Sequence, residues 1–262
     1  MTYVKPKKYL GQHFLVDQEI AKNITEGLRI KEPTKVLEIG PGTGVLTQFL
    51  IENELIDLKV IEIDEESVTY LNKNFPKLKD RIFFQDFLTT DLTDIYGDSP
   101  FAIIGNFPYN ISSQIFFKVL ENKNQIPVIC GMLQKEVAER LASKPGKKAY
   151  GILSVLLQTY YDIEYLFTVP PTVFNPPPKV ESGVIRLVRN ETKQIDCNEK
   201  LFKIVIKTAF NQRRKTMRNS LRSILTKDPE IISDKIFDKR PEQLSVEEFI
   251  YLTNLVEPYI QS

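Results

Sequence analysis

The sequence predicts a doubly wound α/β fold, a mostly parallel sheet with helices on both faces, followed by a small C-terminal α-helical domain. Three observations carry this expectation. Short apolar, β-branched runs alternate with segments of helical spacing through most of the chain, and several runs are almost uninterrupted, as strands buried on both faces require. A glycine-rich turn follows the first clear run, where an α/β sheet would pass from strand to helix around a ligand. After about residue 189 the runs give way to helical spacing alone. The boundary is therefore expected near 190, with residues 1–190 forming the α/β domain and 191–262 the helical one.

Strands are expected at 35–40 (KVLEIG), 58–63 (LKVIEI), 81–86 (RIFFQD), 101–106 (FAIIGN), 127–133 (PVICGML) and 183–189 (GVIRLVR). Residues 43–53 and 65–75 have helical spacing between them. The last strand follows a proline-rich loop at 169–179, whose Pro-Pro and Pro-Pro-Pro runs favour extended backbone. Beyond it, 201–210, 215–225 and 246–259 read as helices, with breaks at Asp228-Pro229 and Arg240-Pro241. Ser245 is the expected N-cap of the last helix.

The 262 residues are 42 % apolar and 26 % charged, the balance of a soluble globular protein. No apolar run approaches the ~18 residues of a membrane span, and the N-terminus carries no secretory signal core. Two cysteines, Cys130 and Cys197, and one histidine, His13, argue against a disulfide scaffold and a metal site. A reducing cytoplasmic location is the default. The net charge of +1 hides segregation. Residues 200–227 carry nine Lys or Arg and no acid; 140–161 hold Arg140, Lys144, Lys147 and Lys148; the first sixteen residues add Lys5, Lys7 and Lys8. Acidic residues concentrate between Glu52 and Asp98. Such a distribution suits a polyanionic partner.

The glycine-rich turn reads Glu38-Ile39-Gly40-Pro41-Gly42-Thr43-Gly44. Alternate glycines let the backbone turn tightly and approach a ligand. The spacing is G-x-G-x-G, and no P-loop lysine follows. Glu62, near the end of the second strand, is placed to accept hydrogen bonds from ribose hydroxyls. Asp86, at the end of the third, is placed to hold an exocyclic amine on adenine. A cofactor with adenine and ribose but no phosphate, such as S-adenosylmethionine, suits this set; NAD is the competing ligand.

The fourth strand runs into Asn106-Phe107-Pro108-Tyr109. An amide oxygen and a neighbouring main-chain carbonyl, from Phe107 or Pro108, would accept both N–H bonds of an adenine amine. Pro108 fixes the turn, and Tyr109 offers a face for stacking. Two acceptors would turn the nitrogen lone pair toward a sulfonium methyl, so transfer relies on positioning and electrostatics.

The stretches KYLGQHFL at 8–15, Glu38 to Gly44, Val60 to Asp64, Asn106 to Ser112, Gln134 to Leu141 and VPPTVFNPPPKVES at 169–182 resemble the KsgA family of small-subunit ribosomal RNA adenine N6,N6-dimethyltransferases. The resemblance spans essentially the whole chain. It implies a Rossmann-like class I S-adenosylmethionine-dependent methyltransferase in which His13, Leu15, Gly40, Glu62, Asp86 and Asn106 bind the cofactor. It further implies that Asn106, Pro108 and Tyr109 hold the target adenine, with Phe174 packing on the flipped base. The family usually has Asn where this chain has His13. The implied substrate is a pair of adjacent adenosines in the 3'-terminal hairpin loop of small-subunit (16S) ribosomal RNA, within an immature 30S subunit. A cytoplasmic monomer, without metal or membrane contact, is expected, with the basic 200–227 segment gripping phosphates. The runner-up readings are the related Erm methyltransferases of large-subunit RNA and a non-catalytic RNA-binding assembly factor.

Overall fold

The alternation of strands and helices is realised in the computed structural model, which describes residues 4–226 and 230–260. In chain order the first elements are β1 (Phe14–Leu15), α1 (Gln18–Glu26), β2 (Thr34–Ile39), α2 (Thr47–Leu50), β3 (Ile56–Glu62), α3 (Glu65–Asn74) and β4 (Ile82–Phe84). Next come α4 (Thr93–Tyr96), β5 (Ala102–Asn106), α5 (Ser112–Glu121), β6 (Val128–Gln134), α6 (Lys135–Ala142) and α7 (Ile152–Gln158). The chain continues through β7 (Tyr161–Val169), β8 (Phe174–Asn175), β9 (Ser182–Arg189), α8 (Glu199–Asn211), α9 (Met217–Ser220) and α10 (Val246–Val256).

Seven strands form one sheet in the order β4-β3-β2-β5-β6-β9-β7. Pairing is parallel from β4 through to β6, and β9 runs antiparallel to β6. The inner strands are apolar on both faces, and Val36, Leu37, Val60, Ile103 and Ile104 are fully buried. The chain winds outward from β2 to β4, then returns to lay β5 against the other side of β2. This reversal opens a crevice at the strand ends. Two residues beyond the Glu38–Ile104 pairing, the neighbouring strands deliver Gly40 and Asn106 there.

Several expected elements change. Helix 43–53 shrinks to α2, because the glycine turn consumes its first residues. Helix 215–225 shrinks to α9, since Leu225 instead forms a β-bridge with Ile260. Helix 246–259 ends as α10 followed by a 3-10 turn at Glu257–Tyr259, where Pro258 offers no N–H to continue the ladder. The Ser245 cap is present: its Oγ accepts from Glu248 N at 3.2 Å, and Glu248 Oε2 accepts from Ser245 N at 3.0 Å. Lys227 and the Asp228-Pro229 break lie outside the described residues.

The domain boundary also changes. The chain forms two compact units: one holds the residues up to 139 together with 162–189, and the other holds 140–161 together with the residues from 190 onward. A single cut at 190 therefore misassigns 140–161. In the second unit α7 buries Leu153, Val155, Leu156 and Leu157 and packs with α8 and α10. Arg213 donates to the carbonyls of Lys148 (2.6 Å) and Lys147 (3.4 Å), bringing the two acid-free segments together. Among the described residues, no helix is long and apolar enough to cross a membrane.

Candidate active site

All the residues that shape the cleft at the strand ends belong to the first unit. β2 supplies Glu38, 1 % exposed, whose Oε2 accepts from Thr47 Oγ1 at 2.7 Å. Desolvation, outweighing that hydrogen bond, pushes the Glu38 carboxyl up to about 8. The chain then turns through Gly40 at φ 64° and Gly42 at φ 55°, the left-handed region that glycine tolerates. A Cβ on Gly40 would meet nothing within 4 Å, so this backbone faces open space in the cleft; one on Gly42 would lie 2.8 Å from the Phe14 ring.

Glu62 ends β3 and is 4 % exposed. Its Oε2 accepts from Gly42 N at 3.0 Å, and its Oε1 from Ile63 N (2.8 Å) and Asp64 N (2.9 Å). Burial raises this carboxyl from its ordinary value, although all three N–H groups favour its charged form. A carboxylate has about four lone-pair sites, so three N–H donors hold Glu62 in place and leave little acceptor capacity for ribose.

Asp64 caps α3 and fastens the N-terminal segment. Lys7 Nζ donates to its Oδ1, Gln12 Nε2 to its Oδ2 at 3.3 Å, and Ser67 Oγ to its Oδ2 at 2.9 Å. Burial pushes the Asp64 carboxyl up, but these donors together hold it below its usual value. The strap so fastened lines the cleft with Leu10, Gly11, Gln12 and His13. Asp86, just past β4, also lines the cleft, and its Oδ1 accepts from Leu88 N at 2.8 Å.

β5 delivers Asn106, Pro108 and Tyr109 to the same cleft. Phe107 anchors the turn: its N donates to Met132 O at 2.9 Å, and its buried ring meets Phe116 edge-on at 5.9 Å. Asn106 Nδ2 donates to the His13 carbonyl at 3.0 Å, which leaves Oδ1 as the acceptor of the amide. The Pro108 carbonyl already accepts from Ile111 N at 3.2 Å, which favours Phe107 O as the second acceptor. Tyr109 is held by a 2.6 Å hydrogen bond between its hydroxyl and Ser182 Oγ. The His13 ring stacks on Tyr109 at 5.5 Å, with Nδ1 donating to Pro176 O at 2.8 Å.

Two expected site residues keep their side chains out of the cleft. Leu15 is 2 % exposed and Phe174 4 % exposed, and both belong to the hydrophobic core. They pair directly, Leu15 in β1 opposite Phe174 in β8, so burial against each other outweighs exposure to a ligand. Any contact Leu15 makes with a cofactor runs through its main chain, and Phe174 braces the strap. Sequence reasoning missed the apolar walls Ile39, Ile63 and Phe87. Ile63, half exposed directly after a buried strand end, carries the visible signal. It also missed Ser182, although that residue closes the VPPTVFNPPPKVES stretch.

Gly40 with its open backbone, buried Glu62, Asp86 and Asn106 line one cleft, a set that fits a nucleoside. Comparison with known proteins agrees. Residues 4–257 match the family model described as ribosomal RNA adenine dimethylase. A Phocaeicola vulgatus protein named ribosomal RNA small subunit methyltransferase A is 58 % identical over 262 residues, covering 100 % of this chain and 93 % of that protein. The protein of that name from Parabacteroides distasonis is 60 % identical over 261 residues, covering 100 % and 97 %. Two solved structures share the fold, each at 23 % identity. A Plasmodium falciparum dimethyladenosine transferase gives a TM-score of 0.79 over 95 % of this chain and 99 % of its own. The 23S rRNA methyltransferase ErmE gives 0.67 over 93 % and 99 %. The chain belongs to the ribosomal RNA adenine dimethylase family.

Proposed function

We propose that this enzyme dimethylates the N6 amines of two adjacent adenosines in the 3'-terminal hairpin loop of small-subunit ribosomal RNA, late in subunit assembly. The observation that carries the reading is the Asn106 amide, oriented by the His13 carbonyl so that Oδ1 is its acceptor. S-adenosylmethionine is the methyl donor and supplies an electrophilic sulfonium methyl. Gly40, Glu62 and Asp86 hold it, with His13 and the main chain of Leu15 closing over it. Asn106 Oδ1 and the Phe107 carbonyl take the two N–H bonds of the target amine, Pro108 fixes their spacing, and the Tyr109 ring supports the base. The nitrogen becomes acidic only as it gains the methyl, so no base need act first. A hairpin-loop adenine is already partly unstacked and turns into a pocket at lower cost than a duplex base.

The second unit grips RNA phosphates through Arg214 and Lys215, both exposed. The protein acts in the cytoplasm as a monomer on an incomplete small subunit. The test is methylation of purified, unmethylated small and large subunits together with labelled S-adenosylmethionine, followed by nucleotide mapping. Dimethyladenosine at two neighbouring hairpin positions is the expected product. Label confined to large-subunit RNA would favour the Erm reading, and binding without transfer would favour a non-catalytic factor.

A further inference from the structure

The turn after β4 shapes one wall of the cleft through Asp86, Phe87 and Leu88. Its own hydrogen bonds converge on Asp86. Leu88 N donates to Asp86 Oδ1 at 2.8 Å, while Thr89 N (3.1 Å), Thr90 N (3.0 Å) and Thr90 Oγ1 (2.8 Å) all donate to the Asp86 carbonyl. The carbonyls of Leu88 and Thr90 are met from another element. Lys118, in the last turn of α5, donates from Nζ to Leu88 O at 3.1 Å and to Thr90 O. The same ammonium lies 5.3 Å from the centre of the Phe87 ring, within cation–π range. Desolvation lowers the Lys118 pKa, while Asp86, Glu121 and Asp91 favour its charged form. Burying part of an ammonium is costly, and here it fixes a turn at two points. α5 begins just beyond the Asn106–Tyr109 loop, so one side chain ties the Asp86 turn to the helix that follows the base-binding residues.

We infer that Lys118 is a positioning residue for cofactor recognition: by holding Leu88 O and Thr90 O it sets the angle at which Asp86 meets the adenine amine. It thereby sets the preference for adenine over other purines. This rests on the proposed role of Asp86, and the experiment separates the two. S-adenosylhomocysteine and its counterpart with hypoxanthine in place of adenine are titrated calorimetrically into wild type, Lys118→Met and Lys118→Gln. Wild type binds the adenine ligand more tightly, because Asp86 accepts from the amine and repels a carbonyl oxygen. Lys118→Met narrows that preference about tenfold, the size expected when buried carbonyls lose their donor. The loss falls on the adenine ligand alone. Lys118→Gln, which keeps N–H donors, falls between, and it carries the test should the Met variant fail to fold. Equal weakening of both ligands, or an unchanged preference, would overturn the inference. Wild type binding both ligands equally would instead remove the role of Asp86, and binding neither would remove the cofactor reading itself.

Discussion

Asn106 and His13 are joined across 93 positions of sequence by one hydrogen bond, from the Asn106 amide nitrogen to the His13 carbonyl oxygen. The bond chooses which end of the amide is spent and which remains as acceptor. Asn106→Asp places a carboxylate against that carbonyl, and the repulsion turns the acceptor away. Methyl transfer should fall on the order of 10²-fold or more, the scale of losing one preorganised group at a reacting centre. Single-turnover rates measured alongside RNA affinity check this, with RNA affinity expected to stay near wild type.

Glu62 fixes the glycine turn as well as facing the cleft, because three main-chain N–H groups point at its two oxygens. Glu62→Gln replaces one of those oxygens with a donor. The cofactor should weaken by about 2 kcal/mol, roughly thirtyfold, as befits an unsatisfied buried group. Affinity for the RNA hairpin should change little. Paired titrations of cofactor and RNA decide it, and equal losses in both would contradict this division.

The basic cluster divides by exposure. Arg213 clamps the Lys147 and Lys148 carbonyls and lies near Glu242, so its reversal should lower the melting temperature. Arg214 and Lys215 are exposed. Reversing those two should weaken RNA binding without unfolding the protein. The slope of log affinity against log salt should become shallower by about 0.9 for each phosphate that the variant no longer neutralises.

Much of the site was legible because its chemistry sits at strand ends. KVLEIG, LKVIEI and FAIIGN are dense apolar runs; Glu62 and Asn106, the polar residues at the ends of the last two, and Gly40, which ends the first, line the cleft, while Glu38 stays buried. β7 escaped because exposed Asp162 and half-exposed Glu164 break its apolar character, giving an alternating pattern rather than a run. The inward facing of the Leu15 and Phe174 side chains was illegible for a different reason. Which way a two-residue strand faces depends on a partner about 160 positions away, and no local pattern encodes that pairing. Lys118 offered no signal at all, since its turn partners are main-chain carbonyls.

Glu38 gives stability a pH dependence. An unfolded glutamate titrates near ~4.3, whereas the folded group is raised to about 8. Between those values the folded chain holds a proton that the unfolded chain has released. Stability therefore falls as pH rises through that window, by at most ~1.4 kcal/mol per unit from this group, and its contribution levels off above about 8. Glu38→Gln imitates the protonated acid. Its melting temperature should lie closest to wild type near pH 4 and exceed it increasingly toward pH 9; a difference independent of pH would contradict the assignment.

The oxygen that orients Asn106 belongs to the backbone of residue 13 and not to its side chain. Replacing the imidazole would leave that oxygen where Asn106 meets it, and would instead change what packs against the Tyr109 ring and what donates to Pro176 O.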